Sequence, residues 1–233
     1  AVRSAAAAGQ SSGWRDLSGA AAAQAFLEFA AAGDAAALRA LARERARSGA
    51  PGLMSYVDGP SGKSALHLAA EGGHVASCRF LLEGAADVHG RDLRGRTPLA
   101  LACARAHLPV ARSLLEAQSR PDQLDRSGRS PFHAACSSSC PDLVELMLSL
   151  RGGPAGLAAL EDADGRTGLH CAAINVHGHP RPQQLLRLLL RHRASPHHLD
   201  RQGRSPLWYA RGRPEALALL AAPRPLAAAE HAP

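Results

Sequence analysis

The sequence predicts an all-α solenoid of stacked helix-turn-helix units, and three observations carry that reading. A short motif of Gly, a basic residue, then Ser or Thr is written five times: Gly62-Lys63-Ser64, Gly95-Arg96-Thr97, Gly128-Arg129-Ser130, Gly165-Arg166-Thr167 and Gly203-Arg204-Ser205. The hydroxyl residues follow one another at intervals of 33, 33, 37 and 38 residues, and a near-fixed period in this range means repeated supersecondary units. Finally, apolar residues make up 46% of the 233 residues while aromatic ones supply only 3%. The remainder is mostly Ala and Leu, strong helix formers that suit short, closely packed helices.

Residues 1–23, rich in Ala, Ser and Gly with no helical period, read as a flexible segment. From Gln24, the pattern Phe26-Leu27, Phe29-Ala30, Gly33-Asp34, then Leu38 and Leu41 reads as helix, turn, helix. Asp34 is placed to cap the second of these by accepting an orphan backbone N–H. In the first full unit, Ser64 to Ala70 begins a short helix, Gly72-Gly73-His74 turns, and Val75 to Leu82 makes a second helix. The motif hydroxyl is a good helix start because it can accept early N–H groups. Pro98, Pro131 and Pro206 follow it where a fixed φ and a missing N–H cost nothing. The Gly two residues before each hydroxyl marks a tight turn that calls for φ > 0.

Several functional classes are excluded or weakened by composition. No stretch reaches the roughly 18 uncharged apolar residues of a membrane span, and the Ala-rich start has no apolar core of signal-peptide type. The five cysteines, at 78, 103, 136, 140 and 171, are scattered rather than arranged as a disulfide framework. That usage favours an intracellular compartment, cytoplasmic or nuclear. Cys103 and Cys136 stand where Ala70 and Ala173 stand in other units, so both read as small packing residues.

Ser64-Ala-Leu-His-Leu-Ala-Ala70, then Gly73-His74, Leu81-Leu82 and Ala86-Asp87-Val88, resemble the ankyrin-repeat signature. The resemblance covers about residues 24–222, most of the chain. It implies a β-turn or hairpin finger and two antiparallel helices per unit, in a curved stack whose concave side binds other proteins. The implied organisation is a flexible segment (1–23), an N-terminal capping unit (24–57) and four repeats (58–91, 92–124, 125–161 and 162–199). A truncated capping repeat (200–222) and a flexible tail (223–233) follow. His67, His133 and His170 match the signature His, and His74 and His107 match the His of the inter-helix turn. The departures are equally specific. No full unit has Gly at the loop position after the paired leucines, where the family usually keeps one. The third unit is longer around Gly152-Gly153-Pro154, the fourth around His177-Gly178-His179-Pro180, and the last is cut short with Arg211 where others place Ala or Cys. The C-terminal half is therefore expected to be the looser one.

Enzymatic signals are weak. Gly59-Pro60-Ser61-Gly62-Lys63-Ser64 resembles the end of a phosphate-binding loop, which makes a nucleotide-binding enzyme at Lys63 one alternative. The first Gly such a loop needs is replaced by Val57, and no strand–helix alternation surrounds it. His170, Cys171, His177 and His179 could ligate metal, but His-x-His with a lone Cys is not a zinc pattern. No catalytic, cofactor or metal residues are assigned.

The net charge of +7 comes from 26 Arg, one Lys and 20 acidic residues. The resemblance implies that partners touch the finger and the exposed end of the first helix. Those slots hold Lys63 and Glu71, then Arg94, Arg96 and Arg105, then Arg126 and Arg129. Asp164 and Arg166 follow, and finally Arg201 and Arg204. An Asp five residues before the hydroxyl, at 92, 125, 162 and 200, is expected to bond its own turn. The basic surplus centres on the second and third units, where it reads either as ordinary solvated arginine or as a face for an acidic segment. The function expected is a non-enzymatic protein-interaction scaffold or adaptor using Arg94, Arg96, Arg105, Arg126, Arg129, Arg201 and Arg204. Nucleic acid or anionic lipid on the same arginines is the other alternative, disfavoured by the shortage of stacking aromatics.

Overall fold

The computed structural model describes residues 18–49, 52–138, 140–150, 156–175 and 182–221. Among them twelve α-helices form six pairs: α1 (Gly19–Ala32) with α2 (Ala35–Arg47), α3 (Ala65–Gly72) with α4 (Val75–Glu83), and α5 (Pro98–Ala104) with α6 (Leu108–Glu116). The series continues with α7 (Pro131–Ser137) and α8 (Pro141–Leu148), α9 (Gly168–Ile174) and α10 (Pro182–Arg191), and α11 (Pro206–Tyr209) and α12 (Pro214–Ala221). Odd-numbered helices pack on one another in one row and even-numbered helices in a second. Each unit thus buries its apolar face on its neighbours, and the core runs the length of the stack. Phe26, Leu38, Leu66, Leu81, Leu99, Leu114, Phe132, Leu143, Leu169 and Leu185 fill it.

The helix starts follow the chemistry of their first residues. Ser64, Thr97, Ser130 and Ser205 each accept a hydrogen bond from the backbone N–H three residues on, at 3.4, 3.2, 3.3 and 3.4 Å. Asp34 caps α2 by accepting from the Ala37 N–H at 2.9 Å. Small residues let the odd-numbered helices lie close: Ala69-Ala70, Ala102-Cys103 and Ala135-Cys136 are all fully buried. Burial pushes the Cys78 thiol up to about 12 and raises those of Cys103 and Cys136 as well, consistent with packing roles.

One boundary is corrected. The segment read as flexible up to residue 23 is helical from Gly19, with Ser18 accepting from the Ala21 N–H at 3.3 Å and Ala22 and Ala23 buried. A run of alanines has no apolar period because every face is equally small and apolar. The periodic signal therefore starts only at Phe26, although the residues before it are the best helix formers available. Residues 1–17, the insertions around 152–154 and 177–180, and the 223–233 tail lie outside the described residues.

The missing loop glycines have a structural consequence. Ala85, Gln118 and Arg193, which follow the paired leucines, adopt φ of 58°, 66° and 63°. Ala106 does the same at 57°, in the inter-helix turn where the first two pairs use Gly33 and Gly73 at 77°. The left-handed region presses Cβ toward the following carbonyl, a strain that glycine lacks. Gln118→Gly and Ala106→Gly should therefore each stabilise the chain by about 0.5–1 kcal/mol after glycine's greater unfolded-state entropy is subtracted. Urea unfolding would register the gain as a higher midpoint at unchanged slope, and a lowered midpoint would contradict it.

Candidate protein-docking face

Four of the five fingers are organised by the Asp that the sequence places five residues before the motif hydroxyl. Asp92 Oδ1 accepts from the Arg94 and Arg96 N–H groups at 2.9 and 2.8 Å, while Oδ2 takes Arg96 Nε at 2.9 Å and a terminal guanidinium nitrogen at 2.7 Å. Asp162 repeats this with Asp164, Arg166 and the Arg166 guanidinium, and Asp200 with Gln202, Arg204 and the Arg204 guanidinium. Asp125 holds only the Ser127 and Arg129 N–H groups. Each motif Gly completes its turn with φ between 67° and 77°. Burial alone would raise the Asp92 carboxyl, but the Arg96 guanidinium and two backbone N–H donors outweigh it and hold the pKa below the ordinary value.

The signature histidines tie the second, fourth and fifth fingers to the unit before each; the third has no such tie, because Ala100 stands at the histidine position of the second unit. His67 Nδ1 accepts the Ser64 N–H at 3.2 Å, which leaves the proton on Nε2 to donate to the Arg96 carbonyl at 3.1 Å. His133 Nε2 reaches the Leu160 and Arg166 carbonyls at 3.0 and 3.1 Å, and His170 Nε2 the Arg204 carbonyl at 3.2 Å. His74 and His107 point the other way, to the Ala31 and Glu71 carbonyls at 3.0 Å each. Burial lowers the pKa of His67, His133 and His170 below the ordinary 6.5, because the charged ring is poorly solvated there. In the unfolded chain the same rings bind protons as pH falls through about 6.5, so the neutral folded form loses ground below that value. Each buried ring should remove up to about 1.4 kcal/mol of stability per pH unit between 6.5 and its own lowered pKa. A urea midpoint that is flat from pH 7 to pH 5 would contradict this.

Exposure divides the expected docking residues into two groups. Arg96 and Arg204 are half-buried and paired with Asp92 and Asp200. Arg129 is also half-buried, and a terminal guanidinium nitrogen donates to Ser137 Oγ at 2.7 Å. These three arginines shape the fingers. Arg94, Arg105, Arg126 and Arg201 are exposed. Arg105 lies 3.7 Å from Glu71, which also binds Lys63 Nζ at 2.5 Å. Burial works to raise the Glu71 pKa, but the Lys63 hydrogen bond and the charges of Lys63, Arg105 and Arg96 outweigh it and lower the value. Lys63 is thus engaged within its own unit, and the loop around it closes on itself through Asp58 N–H to the Lys63 carbonyl at 2.8 Å.

Main-chain bonds between fingers decide which tips meet. The Leu93 N–H donates to the Ser61 carbonyl, the Arg126 N–H to the Arg94 carbonyl and the Arg201 N–H to the Asp164 carbonyl, at 3.0, 3.0 and 2.9 Å. The first junction is uncharged and the last pairs opposite charges. The middle one sets two exposed arginines side by side, and neither has a carboxylate partner among the described residues. The sequence shows both arginines but not this adjacency. It arises because the second residue after one finger's Asp meets the first residue after the next. Trp208, whose ring stacks with Arg204 and Arg211, is a second feature that the repeat pattern alone does not assign.

Among the described residues no three His, Cys, Asp or Glu side chains are grouped to hold a metal ion, and no helix is long and apolar enough to cross a membrane.

Paired helices in two rows, fingers built on an Asp in four units, and histidines stitching three of the fingers to the preceding unit define a finger-bearing helical repeat solenoid. The chain belongs to the ankyrin-repeat family: models of ankyrin repeats match residues 16–122, 66–155 and 107–181, and a single-repeat model matches 164–201. No curated protein sequence matches the chain. Among solved structures, an ankyrin repeat domain from Acinetobacter baumannii AYE is similar with a TM-score of 0.69 at 24% identity, covering 84% of this chain and 95% of that one. That likeness is one of fold. Ankyrin repeats are in general protein–protein interaction modules.

Proposed function

We propose that this chain is a non-enzymatic scaffold that binds an acidic segment of a partner protein on the face formed by its fingers and the ends of its odd-numbered helices. The observation that carries the reading is the junction of Arg94 and Arg126, two exposed arginines whose main chains are joined by a hydrogen bond. Like charges side by side raise the free energy of the unbound protein, and carboxylates placed between them relieve it. Guanidinium groups also bind carboxylates bidentately, which adds orientation to attraction. Arg105 extends the site toward the concave side, with Arg96 and Arg129 supporting it from below and Arg201 and Arg204 continuing it along the stack. Glu71 moderates the site by occupying Arg105.

Fluorescence anisotropy with a labelled glutamate-rich peptide and a labelled single-stranded DNA oligomer, over a salt series, tests this. The peptide should bind more tightly than the DNA at 150 mM salt, about physiological ionic strength. Removing the internal competitor in Glu71→Gln should tighten peptide binding by about two- to fivefold, the value of one exposed ion pair. Preference for DNA would replace the protein-docking reading with nucleic-acid binding. An unchanged affinity in Glu71→Gln would remove Arg105 from the site.

A further inference from the structure

The last unit carries a large aromatic residue at a register position where the others carry His or, in the second unit, Ala100. Three residues after the capping hydroxyl, three units carry the buried histidines His67, His133 and His170, whereas the fifth carries Trp208 with 38% of its surface exposed. The indole is nonetheless held firmly. The Arg211 guanidinium lies 3.8 Å from its ring centroid and that of Arg204 4.9 Å. Tyr209 meets it edge-on at 5.1 Å with the planes at 80°. Asp200 fixes two of these supports, taking Arg204 Nε at 3.3 Å and the Tyr209 hydroxyl at 2.7 Å on the same oxygen.

An exposed aromatic ring whose orientation is set in advance loses little freedom when something covers it. Trp, Tyr and Arg are also the residues that most often dominate interface energies. Arg201 and Arg211 present positive charge to solvent beside the ring while Asp200 is buried and turned inward on its own finger; the exposed Asp164, whose carbonyl takes the Arg201 N–H, is paired with Arg166. Arg201 is, moreover, continuous with the docking face, since it occupies the same finger position as Arg126 two units earlier.

We propose that Trp208 is a second docking point, receiving an apolar side chain carried by the same acidic segment that Arg94 and Arg126 bind. The inference rests on the docking reading above, and it adds a spacing. Neighbouring helices sit roughly 8–10 Å apart, so two units separate the points by roughly 16–20 Å, which about five or six residues of extended chain span. Asp164 stands exposed on that path. The intervening residues of the partner are therefore neutral or basic, and the recognised segment is bipartite: an acidic cluster, a short spacer, an apolar residue.

The test uses the only two tryptophans of the chain, Trp14 and Trp208. Trp14→Phe leaves Trp208 as the sole indole reporter. Two synthetic peptides share about six glutamates and a Gly/Ser spacer of about six residues, one ending in leucines and the other in serines. The leucine peptide should shift Trp208 emission and bind about tenfold tighter than the serine peptide, the gain expected of one buried anchor. Trp208→His, which installs the residue type other units carry, and Arg211→Glu should both erase that gain while serine-peptide affinity persists. Circular dichroism should show the same helicity in all variants. Equal affinities and unmoved emission, with glutamate-dependent binding intact, would overturn the Trp208 point and leave the Arg94–Arg126 site standing. Failure of both peptides to bind would overturn both.

Discussion

Replacing Asp92 by alanine should destabilise the chain by about 3 kcal/mol, among the largest single-site losses expected outside the apolar core. The Asp92 side chain is 1% exposed and takes four hydrogen bonds, two from backbone N–H groups and two from the Arg96 guanidinium. Its removal strands the backbone donors and leaves Arg96 without its partner. Arg96 remains 27% exposed and can reach water, which keeps the cost at the low end of the range for broken buried pairs. Asp92→Asn should recover part of the loss, since an amide oxygen can still accept the backbone bonds. The functional effect follows from the same geometry. The Arg94 carbonyl that positions Arg126 belongs to this finger, so peptide binding should weaken even where the protein remains folded. Urea unfolding with near-wild-type stability of Asp92→Ala would contradict the role given to this carboxylate.

Converting Arg94, Arg105 and Arg126 to Glu together should abolish capture of the acidic segment. Hydrogen bonds to charged groups contribute about 1.5–3 kcal/mol each, so losing two already weakens binding about a hundredfold, before repulsion is counted. All three side chains are exposed, and none of the three guanidinium groups is a buried partner of a finger Asp. The circular dichroism spectrum should therefore be unchanged. Reversing Arg96 or Arg204 instead should affect folding first, because those guanidinium groups hold Asp92 and Asp200.

Where chemistry is local, the sequence was enough to locate the structure. Ser, Thr and Asp announce helix caps, a Gly two residues before each hydroxyl announces the turn, and an Asp before it announces the finger's internal bonding. All of these depend on residues within five positions of one another. What escaped depends on contacts one repeat away. Gly168 stands where other units carry Ala65, Pro98, Pro131 and Pro206, and nothing nearby in sequence explains it. A Cβ at Gly168 would lie 2.7 Å from Phe132 Cε1 and 2.8 Å from Cys136 Sγ, so the larger Phe132 of the preceding unit occupies the space. The side-by-side placement of Arg94 and Arg126 is of the same kind. Both arginines are evident in the sequence, but their adjacency requires the one-residue offset between fingers. The alanine-rich start of α1 is silent in the sequence for a different reason: helix propensity without amphipathic contrast produces no period.

The most direct measurement of the docking claim is a charge swap. A glutamate-rich and a lysine-rich peptide would be titrated against the wild type and the Arg94→Glu/Arg105→Glu/Arg126→Glu protein at matched ionic strength. The expected result is reciprocal, with the wild type binding only the glutamate peptide and the reversed protein only the lysine peptide. Equal binding of the glutamate peptide by both proteins would contradict it.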